Sequence, residues 1–253
     1  MLRAFPIVRD GIGGSAAARP KQRPAGCLAG IDGCRSGWLM VSVARRRWNA
    51  AVAPSVAELL EAARPAVAAI DMPIGLLDHG DRPADRELRL LLGARKSSVF
   101  PAPLRGTLHA ASHRAACEAR RRIDGKGYSL QSYHLFPKIR ELDALVRRLG
   151  HRQSGLVESH PESAFAVMAG APLRHSKRTA AGRLERRRLL AKQVPGAGPL
   201  ISAGPPRGAS WDDLLDAVVL VWVARRIRAG RARAFPHRPP PADPHGIVPR
   251  VLI

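Results

Sequence analysis

The chain has 253 residues, and its 42 lysines and arginines outnumber 20 aspartates and glutamates, giving a formal net charge of +22. This length suits one large domain. A membrane span needs roughly 20 uncharged apolar residues, and the longest apolar run in the sequence does not reach this length, since it contains Asp216 and stops at Arg225. Cys27, Cys34 and Cys117 form no CxxC pair, which argues against a disulfide framework or a zinc site and favours the cytoplasm.

The first part of the chain predicts a basic arm followed by strands. Residues 1–26 are rich in Arg, Ala, Gly and Pro and lack the apolar core of a secretory signal, so we expect a flexible arm there. Ser55 and Glu58 have the spacing of a capping box at the start of a helix. The elements predicted up to this point are strands at 27–33, 37–44, 48–54 and 66–71 and a helix at 55–64.

The second part of the chain predicts mainly helices. The segment 95–106 interrupts the helical pattern, 195–208 is expected to be a loop, and the proline-rich tail beyond residue 233 is expected to have little to bury. The predicted elements are helices at 83–93, 107–123, 132–149, 162–168, 179–192 and 211–229, with a fifth strand at 155–159. The expected organisation is an arm at 1–26, one domain at 27–230 with a helical insertion at about 83–153, and a tail at 231–253.

This order of elements predicts an α/β fold with a mixed five-stranded sheet, three antiparallel strands followed by parallel ones, and flanking helices. A right-handed crossover places the fourth strand parallel to the first and beside it. Asp32 and Asp71 then end neighbouring strands about 4.8 Å apart, where their like charges repel unless a cation bridges them. The alternatives are an Asx turn at Asp71 and a plain turn at Gly33.

The last helix contributes two further carboxylates, because Asp213 and Asp216 lie three residues apart on one face. Asp213 could instead complete a capping box with Ser210. Asp216 is too far into the helix to cap it, and a buried ion pair with an arginine is its alternative.

In the segment "GLVESHPES", Glu158, His160 and Glu162 occupy alternate positions, so a fully extended backbone would point all three the same way, although Pro161 is expected to end the strand. Glu158 is the best additional ligand, whereas His160 could bind metal, act as an acid or base, or be a hydrogen-bonded core histidine. Hard oxygen ligands of this kind suit Mg²⁺ or Mn²⁺, and two such cations can drive phosphodiester hydrolysis.

Basic residues concentrate at 114–122, 174–192 and 225–238, which favours a nucleic-acid partner, although GC-rich codon usage would give a similar excess. For each basic side chain, a solvated surface is the alternative to a phosphate contact. The candidate phosphate contacts are Lys96, Ser97, Ser98, Lys138, Arg140 and Lys177.

Seven motifs appear in order over about residues 29–230: "GIDGCRSGW", "IDMPIG", "RKSSVFPAP", "FPKIRELD", "VESHPESAF", "SKRTAAGRLERRRLL" and "WDDLLDA". With them the chain resembles the DUF429 proteins, predicted nucleases of the RNase H-like fold. The resemblance implies that Asp32, Asp71 and Asp216 are catalytic metal ligands and that Asp213 is an auxiliary group. Glu158 lies in one of the family motifs, and the resemblance implies no defined role for it.

The resulting hypothesis is a cytoplasmic nuclease acting on DNA or RNA with two Mg²⁺ or Mn²⁺ ions, which Asp32 and Asp71 bridge while Asp216 completes the site. A non-catalytic, basic nucleic-acid-binding protein of the same fold, with its carboxylates in buried ion pairs, is the first alternative. The second is a nucleotide-binding protein of the actin or sugar-kinase type, with "GIDG" as its phosphate loop. The single predicted sheet and the absence of a second such loop in the sequence argue against it.

Overall fold

The computed structural model describes residues 26–150 and 155–253, so that the arm predicted at 1–26 lies, except for Gly26, outside the described residues. The strands are β1 (Leu28–Cys34), β2 (Gly37–Ala44), β3 (Arg47–Ala53), β4 (Val67–Ile70), β5 (Leu156–Glu158), β6 (Ala234–Phe235) and β7 (Val251–Leu252). The α-helices are α1 (Val56–Ala63), α2 (Pro83–Leu92), α3 (His113–Asp124), α4 (Leu130–His134), α5 (Phe136–Leu149), α6 (Pro161–Ala169), α7 (Ala180–Gln193), α8 (Gly198–Ala203) and α9 (Trp211–Arg228).

The main sheet has five strands in the order β3-β2-β1-β4-β5. β1, β2 and β3 are antiparallel neighbours, whereas β4 runs parallel to both β1 and β5. The predicted α/β class and mixed sheet are therefore confirmed, and the topology is consistent with the RNase H-like fold. Ile31 pairs with Ile70 in the parallel ladder, and the Asp71 N–H donates to the Ile31 carbonyl oxygen at 2.9 Å. This register places Asp32 and Asp71 side by side where their strands end.

Helices cover both faces of the sheet. α6, α7 and α9 pack on one face, and α1 and α5 pack on the other. α9 lies very close to β1, because a Cβ at Gly30 would be only 2.0 Å from the Ala217 carbonyl oxygen. A side chain at position 30 would therefore hold the central helix away from the sheet. Among the described residues, no helix has both the length and the apolar composition needed to cross a membrane.

Several helix boundaries differ from the predictions. The helix expected at 107–123 begins only at His113, because the Ser112 side chain accepts a hydrogen bond from the Ala115 N–H and caps it. The helix expected at 132–149 is divided into α4 and α5 at Leu135, with Pro137 in the first turn of α5. The loop expected at 195–208 contains α8, a short helix.

The C-terminal tail packs on the domain, so the expectation that it has little to bury is wrong. Ile247, Val251 and Ile253 are buried, and β7 pairs with β6. The Asp243 carboxylate accepts hydrogen bonds from the backbone N–H groups of Ile247 and Leu76 and pairs with Arg105. These contacts attach the tail to the loop that follows β4.

Candidate active site

Three carboxylates from separate elements meet at the end of the parallel strands. Asp32 lies near the end of β1, Asp71 directly follows β4, and Asp216 lies in the second turn of α9. Gly30 and Asp32 share one face of β1, and α9 covers that face. Leu220 of α9 faces Gly30, so Asp216, one helical turn earlier, lies on the same face and beside Asp32.

The three carboxylates differ in their partners. Asp216, whose side chain is 3% exposed, accepts a hydrogen bond from the Lys177 ammonium, with 2.7 Å between Nζ and Oδ2. Asp32 Oδ1 accepts one from the Gly33 N–H at 2.8 Å. No described residue donates a hydrogen bond to the Asp71 carboxylate, which is partly exposed to the adjoining cleft. One ammonium thus faces three carboxylates.

The imbalance of charge affects the ionisation of all three groups. Burial and the neighbouring charges of Asp71 and Asp216 raise the pKa of Asp32 well above its ordinary value. Burial, together with the charge of Asp216, raises the pKa of Asp71 to about 6, although Lys177 opposes the rise. Burial also raises the pKa of Asp216, against the opposing charge of Lys177, and Asp216 raises the pKa of Lys177. The site therefore contains negative charge that the surrounding protein compensates only in part.

Asp71 makes the stability of the protein dependent on pH. Because its folded-state pKa of about 6 exceeds the ordinary value of about 3.9, the folded protein binds more protons than the unfolded chain between these two values. Stability should therefore fall as pH rises through this window. As the pH rises from 4 to 7 in EDTA, we expect the free energy of unfolding of wild type to fall by roughly 2 kcal/mol more than that of Asp71→Asn. Urea denaturation measures this difference, and parallel pH profiles would contradict it.

Lys177 is presented by a loop that several contacts hold in place. Glu185 accepts hydrogen bonds from the backbone N–H groups of Arg174 and His175, at 3.1 and 3.0 Å. The Ser176 carbonyl oxygen approaches α7 so closely that a Cβ at Gly182 would lie 1.9 Å from it. The sequence analysis assigned Lys177 to phosphate and missed its contact with Asp216, because the two residues are far apart along the chain.

Asp213 and Ser210 form a capping box at the start of α9. Asp213 Oδ2 accepts from the Ser210 N–H at 2.7 Å, and the Asp213 N–H donates to the Ser210 hydroxyl oxygen. This is the alternative that the sequence offered for Asp213. Its negative charge nevertheless contributes to raising the pKa of Asp32.

Glu158 does not point toward the other three carboxylates. It pairs with Ile70 in the ladder between β4 and β5, which places its side chain on the sheet face opposite α9. There its two oxygens accept from the buried Arg82 guanidinium at 2.8 and 2.7 Å, and Oε2 also accepts from the Ile74 N–H. Glu158 is thus part of a buried ion pair.

His160 and Glu162 are also committed to structural contacts. His160 is the N-cap of α6: its Nδ1 accepts from the Ser163 N–H, so Nε2 donates to the Ser98 carbonyl oxygen at 3.2 Å. Glu162 pairs with the buried Arg186. The common orientation expected for Glu158, His160 and Glu162 is therefore wrong, because the strand ends before His160 and α6 begins at Pro161.

A cleft of about 660 Å³ opens beside the carboxylates. Four of the predicted phosphate contacts line it: Ser97, Ser98, Lys138 and Lys177. Two cationic residues that the sequence analysis did not single out, Arg95 and Arg178, line it as well. Arg178 could have been predicted, because it follows the candidate Lys177 directly in the sequence "SKRT".

Two other predicted contacts lie outside this cleft. Lys96 is exposed on the short 3-10 turn Gly93–Ser98, and Arg140 donates to the Leu108 carbonyl oxygen. The basic clusters are also partly internal, since Arg120 and Arg186 are buried in ion pairs. The positive surface is therefore smaller than the sequence suggested.

The donor set fits one hard divalent cation. Within the described ranges, no group of three or more histidine, cysteine, aspartate or glutamate side chains forms a ready metal site. However, Mg²⁺ is commonly held by one or two carboxylates together with water and substrate phosphate. Asp32 and Asp71 have oxygen atoms that accept no hydrogen bond from any described residue, whereas Lys177 donates to Asp216. These two aspartates are therefore the residues best suited to a cation.

A family model described as a protein of unknown function (DUF429) matches residues 30–241. This match extends from β1 through α9 into the C-terminal tail and includes Asp32, Asp71 and Asp216. No curated protein and no solved structure matches the chain.

Proposed function

This chain belongs to the DUF429 family, and we propose that it hydrolyses phosphodiester bonds in DNA or RNA with Mg²⁺ or Mn²⁺. The observation that carries the proposal is the meeting of Asp32, Asp71 and Asp216, with incompletely compensated charge, beside a cleft that presents cationic side chains. Such charge favours a divalent cation, and the cationic side chains suit a phosphate backbone. The three cysteines are free, in keeping with the cytoplasmic location that we propose.

The side chains have distinct roles in this proposal. Asp32 and Asp71 hold the cation, which supplies Lewis acidity toward phosphate oxygens and acidifies water when bound. Lys138 and Arg178 neutralise phosphates of the strand in the cleft. Asp216 keeps the Lys177 ammonium beside the reacting phosphate. Lys177 is thus positioned to attract the negative charge that develops as the bond breaks.

A cleavage assay with matched variants tests this function. Labelled single-stranded, duplex, hybrid and branched DNA and RNA are incubated with wild type, Asp71→Asn or Asp212→Asn, in Mn²⁺ or in EDTA. We expect Mn²⁺-dependent cleavage that Asp71→Asn reduces by more than about 100-fold, since even the partners of metal ligands contribute 10- to 100-fold. Asp212→Asn makes the same charge change outside the site and should remain active. A fully active Asp71→Asn would refute the assignment.

One observation favours a second candidate function. The ion pair between Lys177 and Asp216 is the kind of contact expected if the site were purely structural in a non-catalytic nucleic-acid-binding protein. That alternative predicts no cleavage, no Mn²⁺ binding, and salt-sensitive nucleic-acid binding that is equal in wild type and Asp71→Asn. The same set of proteins therefore distinguishes the two functions.

A further inference from the structure

We propose that the site takes one divalent cation and not two, and that the Lys177 ammonium takes the position of the second positive charge, beside Asp216. This inference rests on the proposed phosphodiesterase function and specifies how its charge is arranged. In two-cation sites, one ion acts on the attacking oxygen and the other on the leaving oxygen. Here Lys177 would act at one of these two positions, without a second metal.

The first support is the contact between Lys177 and Asp216. Nζ lies 2.7 Å from Oδ2 of a carboxylate whose side chain is only 3% exposed. A second cation at Asp216 would have to displace this ammonium or lie within a few ångströms of a like charge. In the part of the chain that the structure describes, no ammonium group lies at hydrogen-bond distance from Asp32 or Asp71.

The second support is the way in which the protein holds the loop that carries Lys177. Arg95 donates to the Leu173 and Arg174 carbonyl oxygens at 3.2 and 2.8 Å, which attaches this loop to the 3-10 turn of the cleft. Glu185 and the close approach at Gly182 fix the loop from the side of α7. These contacts fix the backbone of the loop and so hold Lys177 beside the carboxylates. A positive charge that acts in place of a metal ion must be held in position in this way.

The third support is the balance of charge before substrate binds. Asp32, Asp71 and Asp216 together carry three negative charges when ionised. Lys177 and one divalent cation neutralise these charges, whereas Lys177 and two divalent cations would leave a buried excess of positive charge. Burial of unbalanced charge is unfavourable, so the lysine and a second cation are alternatives.

Titration calorimetry with Mn²⁺ tests the inference through a binding stoichiometry and not through activity. We expect wild type to bind one ion and Lys177→Met to bind two, because the substitution frees Asp216. Lys138→Met is the matched control: it removes a lysine from the same cleft whose Nζ donates to the Gly37 carbonyl oxygen and to no carboxylate. It should still bind one ion, as should Lys177→Arg, which keeps the charge.

The outcomes separate this inference from the proposed function. Two ions bound to an active wild-type enzyme would overturn the inference and leave the nuclease proposal standing. One ion bound to a protein that cleaves nothing would refute the nuclease proposal and support the cation count. A single ion with unchanged affinity in Lys177→Met would also overturn the inference. If that variant does not fold, the double variant Lys177→Met/Asp216→Asn removes both charges, and it is expected to keep one ion with wild-type affinity.

Discussion

Gly30→Ala is expected to lower the free energy of unfolding by at least about 3 kcal/mol, among the larger effects of a single substitution. The added Cβ would lie 2.0 Å from the Ala217 carbonyl oxygen and 2.7 Å from the Val221 nitrogen. Both are backbone atoms of α9, which cannot move aside as a flexible side chain could. The helix would therefore have to shift away from β1, opening a closely packed contact between helix and sheet.

The same shift would separate Asp32 from Asp216, since β1 carries one and α9 the other. The proposed cation ligands, Asp32 and Asp71, lie on β1 and directly after the neighbouring strand β4, and not on α9. We therefore expect the folded fraction of Gly30→Ala to bind one Mn²⁺ with an affinity close to that of wild type. Urea denaturation and calorimetry measure the two effects. Gly106→Ala is the control, because no atom lies within 4 Å of the Cβ it would add. If Gly30→Ala were as stable as wild type, α9 would have to lie farther from β1 than the structure places it.

The sheet could be predicted from the sequence because its signals are local and mutually consistent. Apolar runs of strand length, the capping box at Ser55 and the handedness of crossovers together determine which strands are neighbours. The juxtaposition of Asp32 and Asp71 follows from that order. The helical insertion was predicted less well, since Ser112 and Pro137 place boundaries inside patterns that look continuous.

The partners of the site residues could not be predicted, because they depend on register and on distant loops. The face on which Glu158 lies is set by its pairing with Ile70, and shifting that register by one residue would reverse it. Lys177 reaches Asp216 only through the packing of α7 against α9. An ion pair with an arginine was the alternative considered for Asp216, and the sequence contains so many arginines that none could be selected as its partner.

Glu158→Gln is expected to cost about 3–5 kcal/mol of unfolding free energy, the range found when one partner of a buried ion pair is removed. Burial raises the pKa of Glu158 to about 7 against the opposing charge of Arg82, but the Arg82 guanidinium cannot lose its own proton and would remain charged in the variant. The side chain of Arg82 is 2% exposed, and Glu158 accepts hydrogen bonds from it with both oxygens. Without the carboxylate, the guanidinium would remain buried, and its one remaining acidic partner among the described residues would be Asp85, at 3.8 Å. Glu118→Gln is the control, because it breaks the exposed pair with Arg114 and should change the stability little.

Asp71→Asn should have the opposite effect on stability at neutral pH, since it removes a largely buried negative charge to which no described residue donates a hydrogen bond. A structural carboxylate stabilises the folded protein, whereas one kept for a cation destabilises it until the cation binds. Unfolding free energies in EDTA and in Mn²⁺ measure this contrast. In Mn²⁺, wild type should gain stability that Asp71→Asn does not gain, and Glu158→Gln should gain as much as wild type. If Glu158→Gln were as stable as wild type in EDTA but failed to gain stability in Mn²⁺, Glu158 would be a metal ligand and its assignment to the ion pair with Arg82 would be wrong.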